Sequence, residues 1–233
     1  MITLLRPLVL TATLGLAALS LVSCKVDNAA GYQVQVLLML SEDLSPTTTV
    51  DILEDGSNLA SAIKDATVTL QLNGGAPTPV PYVQSFGYLQ SGNISGSAPK
   101  SGDTVTASIT IGAKLITETV TVPGTPKIKA LTTAQDASKP IVVTWDSSGN
   151  PPDEIQIALS DDDTATNDPM GYFQNIAGTS TSFTIPAGTL KAGKKGVYFQ
   201  VSAESTHQLT GADFEPYSWF TISSATGTKF DTL

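Results

Sequence analysis

Residues 104–122 read Thr-Val-Thr-Ala-Ser-Ile-Thr-Ile-Gly-Ala-Lys-Leu-Ile-Thr-Glu-Thr-Val-Thr-Val. Val105, Ala107, Ile109 and Ile111 alternate with Thr104, Thr106, Ser108 and Thr110, so an extended backbone gathers every apolar side chain on one face. A helix would scatter them around its circumference. Gly112-Ala113 turns the chain, and beyond it Ile116, Val120 and Val122 share a face with Glu118. The stretch therefore predicts a β-hairpin and sets the class as all-β.

The same period of two extends outward in both directions. Ala66, Val68, Leu70 and Leu72 alternate with Thr67, Thr69 and Gln71, and Asn73-Gly74-Gly75 then supplies the positive φ a tight turn needs. Tyr32 to Leu40 is a strand whose apolar residues fall on both faces near its end, as in a strand covered on both sides. Asn58 to Lys64 is the single predicted helix, short, with Leu59 and Ile63 four apart and Ser57 or Asn58 as cap. Downstream, Ile141, Val143 and Trp145, then Ile155, Ile157 and Leu159, then Phe183 and Ile185, then Val197, Phe199, Val201 and Ala203 each mark a strand. Tyr217 to Ile222 is expected to close the set.

Pro123-Gly124-Thr125-Pro126 interrupts the pattern and places a boundary between two β-sandwich modules. The expected division is a leader over 1–23, a tether over 24–30, a first sandwich over 31–123, a linker over 124–126, a second sandwich over 127–224 and a tail over 225–233. The chain has 233 residues, enough for two such modules, and its 41% hydrophobic and 14% charged content favours packed cores over a solvated disordered chain. Net charge is −9, and Arg6 is the only arginine. That balance argues against a nucleic-acid partner.

The N-terminus reads as an address. Met1 to Arg6 carries one positive charge, and the apolar run Leu8 to Leu21 is shorter than a membrane-spanning helix requires. It ends in Leu21-Val22-Ser23-Cys24, which resembles the lipobox of bacterial lipoproteins. The resemblance implies cleavage before Cys24, a diacylglycerol (palmitate-type) anchor on its sulfur, and membrane attachment through that lipid, two or three acyl chains giving stable anchoring where one would not. Lys25, where an aspartate would favour retention in the inner membrane, points to the outer membrane, with the body periplasmic or surface-facing. Cys24 is the only cysteine, so no intramolecular disulfide is available and the cores must supply the stability.

Ile141 to Asp146, Thr181 to Ile185, Leu190, Gly193 and Val197 to Ala203 together resemble a fibronectin type III domain, with Trp145 in the place of its buried tryptophan. The corner tyrosine of that family would fall at Val197, and Tyr198 is one residue out of phase. Ala66 to Leu70, Gly102 to Val105 and Val122-Pro123-Gly124 resemble the immunoglobulin-like domains near the N-terminus of bacterial surface lipoproteins. These resemblances imply a non-catalytic binding, adhesion or structural role.

The search for chemistry yields few groups. His207 is the only histidine, and no Gly-x-Ser-x-Gly elbow accompanies it, so it reads as an exposed histidine in a polar turn after Ala203. Ser61 to Lys64 and Ser97 to Lys100 match a Ser-x-x-Lys spacing without its companion motifs. Asn93-Ile94-Ser95 reads as a turn. Asp161, Asp163, Asn167 and Asp168 concentrate the oxygen donors that calcium takes, against the reading of a solvated acidic loop. With Phe220 and Ile222 facing the core, Tyr217 and Trp219 face outward together with Tyr198, a set suited to stacking on a glycan or anchoring an envelope protein. Carboxylates such as Asp153 and Glu154 leave a hydrolase as the remaining alternative.

Overall fold

The computed structural model describes residues 32–41, 44–54, 66–83, 88–91, 98–160, 171–210 and 218–233. The leader, Cys24, the predicted helix, the Ser61 and Ser97 positions, Asn93, the acidic loop 161–170 and Tyr217 lie outside them. Every regular element among the described residues is a strand: β1 (Tyr32–Ser41), β2 (Leu44–Glu54), β3 (Ala66–Leu72), β4 (Thr78–Pro79), β5 (Tyr82–Val83), β6 (Tyr88–Ser91), β7 (Thr104–Ile111) and β8 (Lys114–Thr121) come first. Then follow β9 (Lys127–Ile128), β10 (Ala134–Gln135), β11 (Ile141–Asp146), β12 (Glu154–Ser160), β13 (Gly171–Ala177), β14 (Ser182–Ile185), β15 (Val197–Gln208) and β16 (Trp219–Thr232).

The patterned stretches form where the side chains require. Ile111 lies opposite Lys114 across the β7–β8 turn, with Gly112 at φ 60°. Asn73 and Gly74 both take positive φ after β3, and the Asn73 side chain crosses to β7, its Oδ1 accepting from the Thr104 amide at 2.8 Å. Trp145 is buried in the second core and donates its indole N–H to the Ser180 carbonyl at 3.0 Å.

Three sheets result. One runs β13-β12-β15-β16-β1-β2-β6-β5, with β10 joined to the end of β16; the others run β14-β11-β9 and β4-β3-β7-β8. Two separate apolar cores lie between these layers. The first gathers Val34, Val36 and Leu38 of β1, Val68 and Leu70 of β3, Val105 to Ile111 of β7, and Ile116 and Val120 of β8. The second gathers Val143 and Trp145 of β11, Ile155 to Leu159 of β12, Phe183 and Ile185 of β14, and Val197 to Ala203 of β15. The β14-β11-β9 sheet against β13-β12-β15-β16 is the two-layer sandwich expected of the second module.

The final hairpin departs from the expectation. Residues 225–232, read as a tail, continue β16, and Phe230 lies in the second core. Residues 219–222, read as closing the second module, contribute Phe220 and Ile222 to the first core, where Leu209 joins them. The physical reason is a parallel pairing of β16 with β1, which sets Phe220 beside Val36 and Ile222 beside Leu38. Each such apolar side chain contributes roughly 1.5–3 kcal/mol on burial. Strand β15 likewise runs on past Ala203 to Gln208, so His207 belongs to a strand and not to a turn.

The segment 123–126 is also packed. Pro123, Gly124 and Pro126 are buried. The Gly124 amide donates to the Asn150 carbonyl at 2.8 Å, and a Cβ at Gly124 would stand 1.8 Å from the Ser148 carbonyl oxygen. Only glycine fits so close a backbone approach. Thr125 and Ser224 share a hydroxyl hydrogen bond of 2.6 Å, and the Asn150 amide donates to Ser101 Oγ at 2.8 Å.

Candidate functional site

The outward face of the shared sheet follows from the alternation. Val197, Phe199, Val201 and Ala203 point into the second core and Phe220 and Ile222 into the first, so Tyr198, Gln200, Ser202, Glu204, Trp219, Thr221 and Ser223 occupy the other face. Cross-strand registers arrange them in rows. Gln208, Trp219 and Gln35 stand side by side at one end. Thr206 and Thr221 come next, their hydroxyls 3.0 Å apart. Glu154, Glu204 and Ser223 form the following row, then Gln156, Ser202 and Ala225.

Glu204 is the unusual member, with only 7% of its surface exposed. Burial first, and the facing Glu154 second, push its carboxyl up to about 7, against a hydrogen bond with Ser223 that favours the ionised form. Asn175 Nδ2 donates to Glu154 Oε1 at 3.1 Å and holds that second carboxylate in place. Asp153 is committed to the backbone: its Oδ2 accepts from the Thr206 amide at 2.9 Å, and its own amide donates to the Glu204 carbonyl at 2.8 Å. On the opposite face of the same strand, His207 Nδ1 lies 3.0 Å from Glu118 Oε1 of β8, so the one histidine bridges two sheets.

The three aromatics are not brought together. Trp219 is 37% exposed on the outward face, as expected. Tyr198 stands opposite Lys229, ten residues further along β16, a separation of about 33 Å on an extended strand. Its ring lies over Gly227, where a Cβ would come 2.0 Å from the hydroxyl, so it covers a glycine gap in the sheet. Tyr217 lies outside the described residues, as do Asp161, Asp163, Asn167 and Asp168. Among the described residues no group of three or more His, Cys, Asp or Glu side chains gathers as a metal site requires.

Glu204 and Ser223 were missed in the sequence, and Glu118 was read there only as a carboxylate on the apolar face of its strand. The only signal for Glu204 is the continuation of β15 to Gln208 without a glycine or proline to stop it. Alternation alone assigns Glu204 to a solvent face.

No protein-family profile matches the chain, and no curated protein is similar to it in sequence. Among solved structures, the FN1–FN3 domains of chicken CNTN1 are similar at 14% identity and a TM-score of 0.27, over 88% of this chain and 66% of that one. The chain thus spans just under two thirds of that structure. A segment of two fibronectin type III domains from chicken tenascin is similar at 16% identity and a TM-score of 0.25, over 82% of this chain and 97% of that one. The assignment to β-sandwiches rests on the strand order and the two cores described above.

Proposed function

We propose that the protein is a lipid-anchored component of the bacterial cell envelope, held at the outer membrane through Cys24, that acts as a non-catalytic binding or structural module. The observation that carries the mechanical part of this reading is the continuous sheet through both cores. A chain whose two sandwiches share a hairpin holds the surfaces of its two modules at a fixed spacing from each other, which suits a spacer or a docking body. The anchor itself rests on Leu21-Val22-Ser23-Cys24.

The test is fractionation of cells fed labelled palmitate, followed by protease shaving of intact and lysed cells. Label and membrane association in the parent, both lost in Cys24→Ser, are expected; label-free protein in the soluble fraction of the parent overturns the anchor. Cleavage in intact cells would put the body outside and direct attention to external polymers or adhesion. Protection until lysis would put it in the periplasm with an envelope protein as partner.

A glycan-binding accessory role in an outer-membrane uptake system is favoured by one feature, the exposed Trp219 indole between Gln35 and Gln208. An aromatic face with amides beside it is the chemistry that stacks on a sugar ring and bonds its hydroxyls. Retardation in polysaccharide gels that Trp219→Ala abolishes is the expected result; equal mobility of parent and variant removes the reading.

A further inference from the structure

We infer that β13 is a self-association edge, on which a second copy of this chain docks its own β13 antiparallel and joins the large sheets of the two copies into one. This goes beyond the binding role proposed above and does not depend on it.

The end strands of the three sheets differ in how they are guarded. An unpaired strand edge presents a row of N–H and C=O groups that can pair with another chain, and soluble proteins blunt such edges by keeping them short, by placing charges or proline on them, or by bulging them. Among the described residues, β4, β5, β9 and β10 have two residues each, β4 with Pro79 and β9 with Lys127, and β14 has four. Strand β8 is eight residues long but carries Lys114 and Glu118. Strand β13, at the end of the largest sheet, has none of these guards. Its seven residues, Gly-Tyr-Phe-Gln-Asn-Ile-Ala, include no charge and no proline, and they pair with β12 from Gly171 to Ala177 without a register shift. Phe173 is 41% exposed, with Gln174 and Asn175 exposed beside it.

Charge and register select a second copy as the occupant. The chain carries a net charge of −9, so two copies repel over most of their surface and can meet where it is neutral. Tyr172, Gln174 and Ile176 lie on the core side of β13, level with Leu159, Ile157 and Ile155, while Phe173 and Asn175 lie on the outer side. An antiparallel pair with its two-fold axis at Gln174 sets Tyr172 opposite Ile176 of the second copy and Phe173 opposite Asn175 of the second copy, with no charge at any of the seven positions. Tyr172 and Ile176 are half-buried against the second core, the Tyr172 ring 6.1 Å from that of Phe183, so this register covers apolar surface that β13 leaves at the rim. The Tyr172 hydroxyl donates to Gln174 Oε1, which leaves the Gln174 amino group to donate across the axis. Glu154 stands level with Ala177, so the axis carries the two Glu154 carboxylates to opposite ends of the paired strands, at least roughly 20 Å apart. A contact of one strand from each copy is small beside those of obligate dimers, so association rises with concentration.

The test uses the full chain in detergent. Sedimentation should show a dimer whose share grows with concentration, and Gln174→Lys, which sets two like charges on the axis, should lose it while melting at the parent's temperature. Should Gln174→Lys fail to fold, Phe173→Lys, at a solvent-exposed position, decides in the same way. In the same preparation Gln174→Cys brings two thiols directly opposite each other, at the Cα separation of about 4.5–5.5 Å between facing residues, which a disulfide spans. Mild oxidation should link it into a product of twice the mass, whereas the parent and Leu115→Cys, which is 67% exposed on the charged β8 edge, should stay unlinked. A parent that is monomeric at every concentration overturns the inference. So does a lysine variant that folds and dimerises as the parent does, a Gln174→Cys chain that links no more readily than Leu115→Cys, or linkage of Gln174→Cys to a different protein.

Discussion

The two cores are built from the same kind of strand yet are closed in different ways. The second core draws all its buried members from residues 137–230, a run of chain that folds back on itself in antiparallel pairs. The first core draws most of its members from residues 34–122 and then takes Leu209, Phe220 and Ile222 from near the other end of the chain. One module is closed locally; the other is completed by a strand that arrives last. The difference teaches that a boundary read from proline and glycine marks where the chain passes between modules once, while a shared hairpin passes between them twice more.

Removing the borrowed strand's anchor is the strongest way to break that contrast. Phe220→Ala should cost roughly 3–5 kcal/mol and lower the hydrogen-exchange protection of β7, although the substitution lies in the last strand. Phe199→Ala, of similar size, should first weaken β11 and β12 amides. If Phe220→Ala leaves β7 protection untouched, the first core does not depend on the C-terminal strand.

The buried carboxyl gives the next effect in size. Glu204 has a folded-state pKa raised from 4.5 to about 7, so its protonated form is favoured on folding. Its contribution is complete below the ordinary carboxylate value and is lost as pH rises through about 7. Urea unfolding of the full chain should therefore lose up to about 3 kcal/mol between those limits, with no further loss above them, and Glu204→Gln should flatten the profile. A parent profile that rises across this window would contradict the described environment of Glu204.

Gly124→Ala sharpens the comparison at the other crossing. Its Cβ would meet backbone, the Ser148 carbonyl oxygen at 1.8 Å, and backbone does not move aside as a flexible side chain does. A loss of about 1–3 kcal/mol is expected, read as a lower urea midpoint. A neutral result would mean that the segment 123–126 yields easily and that the hairpin alone couples the cores. Leu115→Ser is the smallest case: the side chain is exposed on the outer face of β8, so stability should change by less than about 0.5 kcal/mol.

Much of the fold was legible because period-two patterning is local. The hairpin at 104–122, the turn at Asn73-Gly74 and the buried Trp145 all follow from residues within a few positions of one another. The aromatic face was legible only in part. Orientation follows from alternation, so Trp219 is outward as read; spacing follows from register, and register sets Tyr198 about 33 Å away, lying over Gly227. His207 and Glu118 are 89 residues apart in sequence, and nothing local to either predicts the other.

By itself, then, the sequence determined which residues would be extended, which of their faces would be apolar, where the tight turns fall and what the N-terminal address resembles, since each depends on the intrinsic geometry of a few consecutive residues. Only the tertiary structure decided which strands became neighbours. The parallel pairing of β16 with β1 gave the first core its last wall, and the antiparallel pairing of β12 with β15 set Glu204 against Glu154. Strand partnership is a competition among distant segments for apolar area and hydrogen bonds, and its outcome is a property of the whole chain.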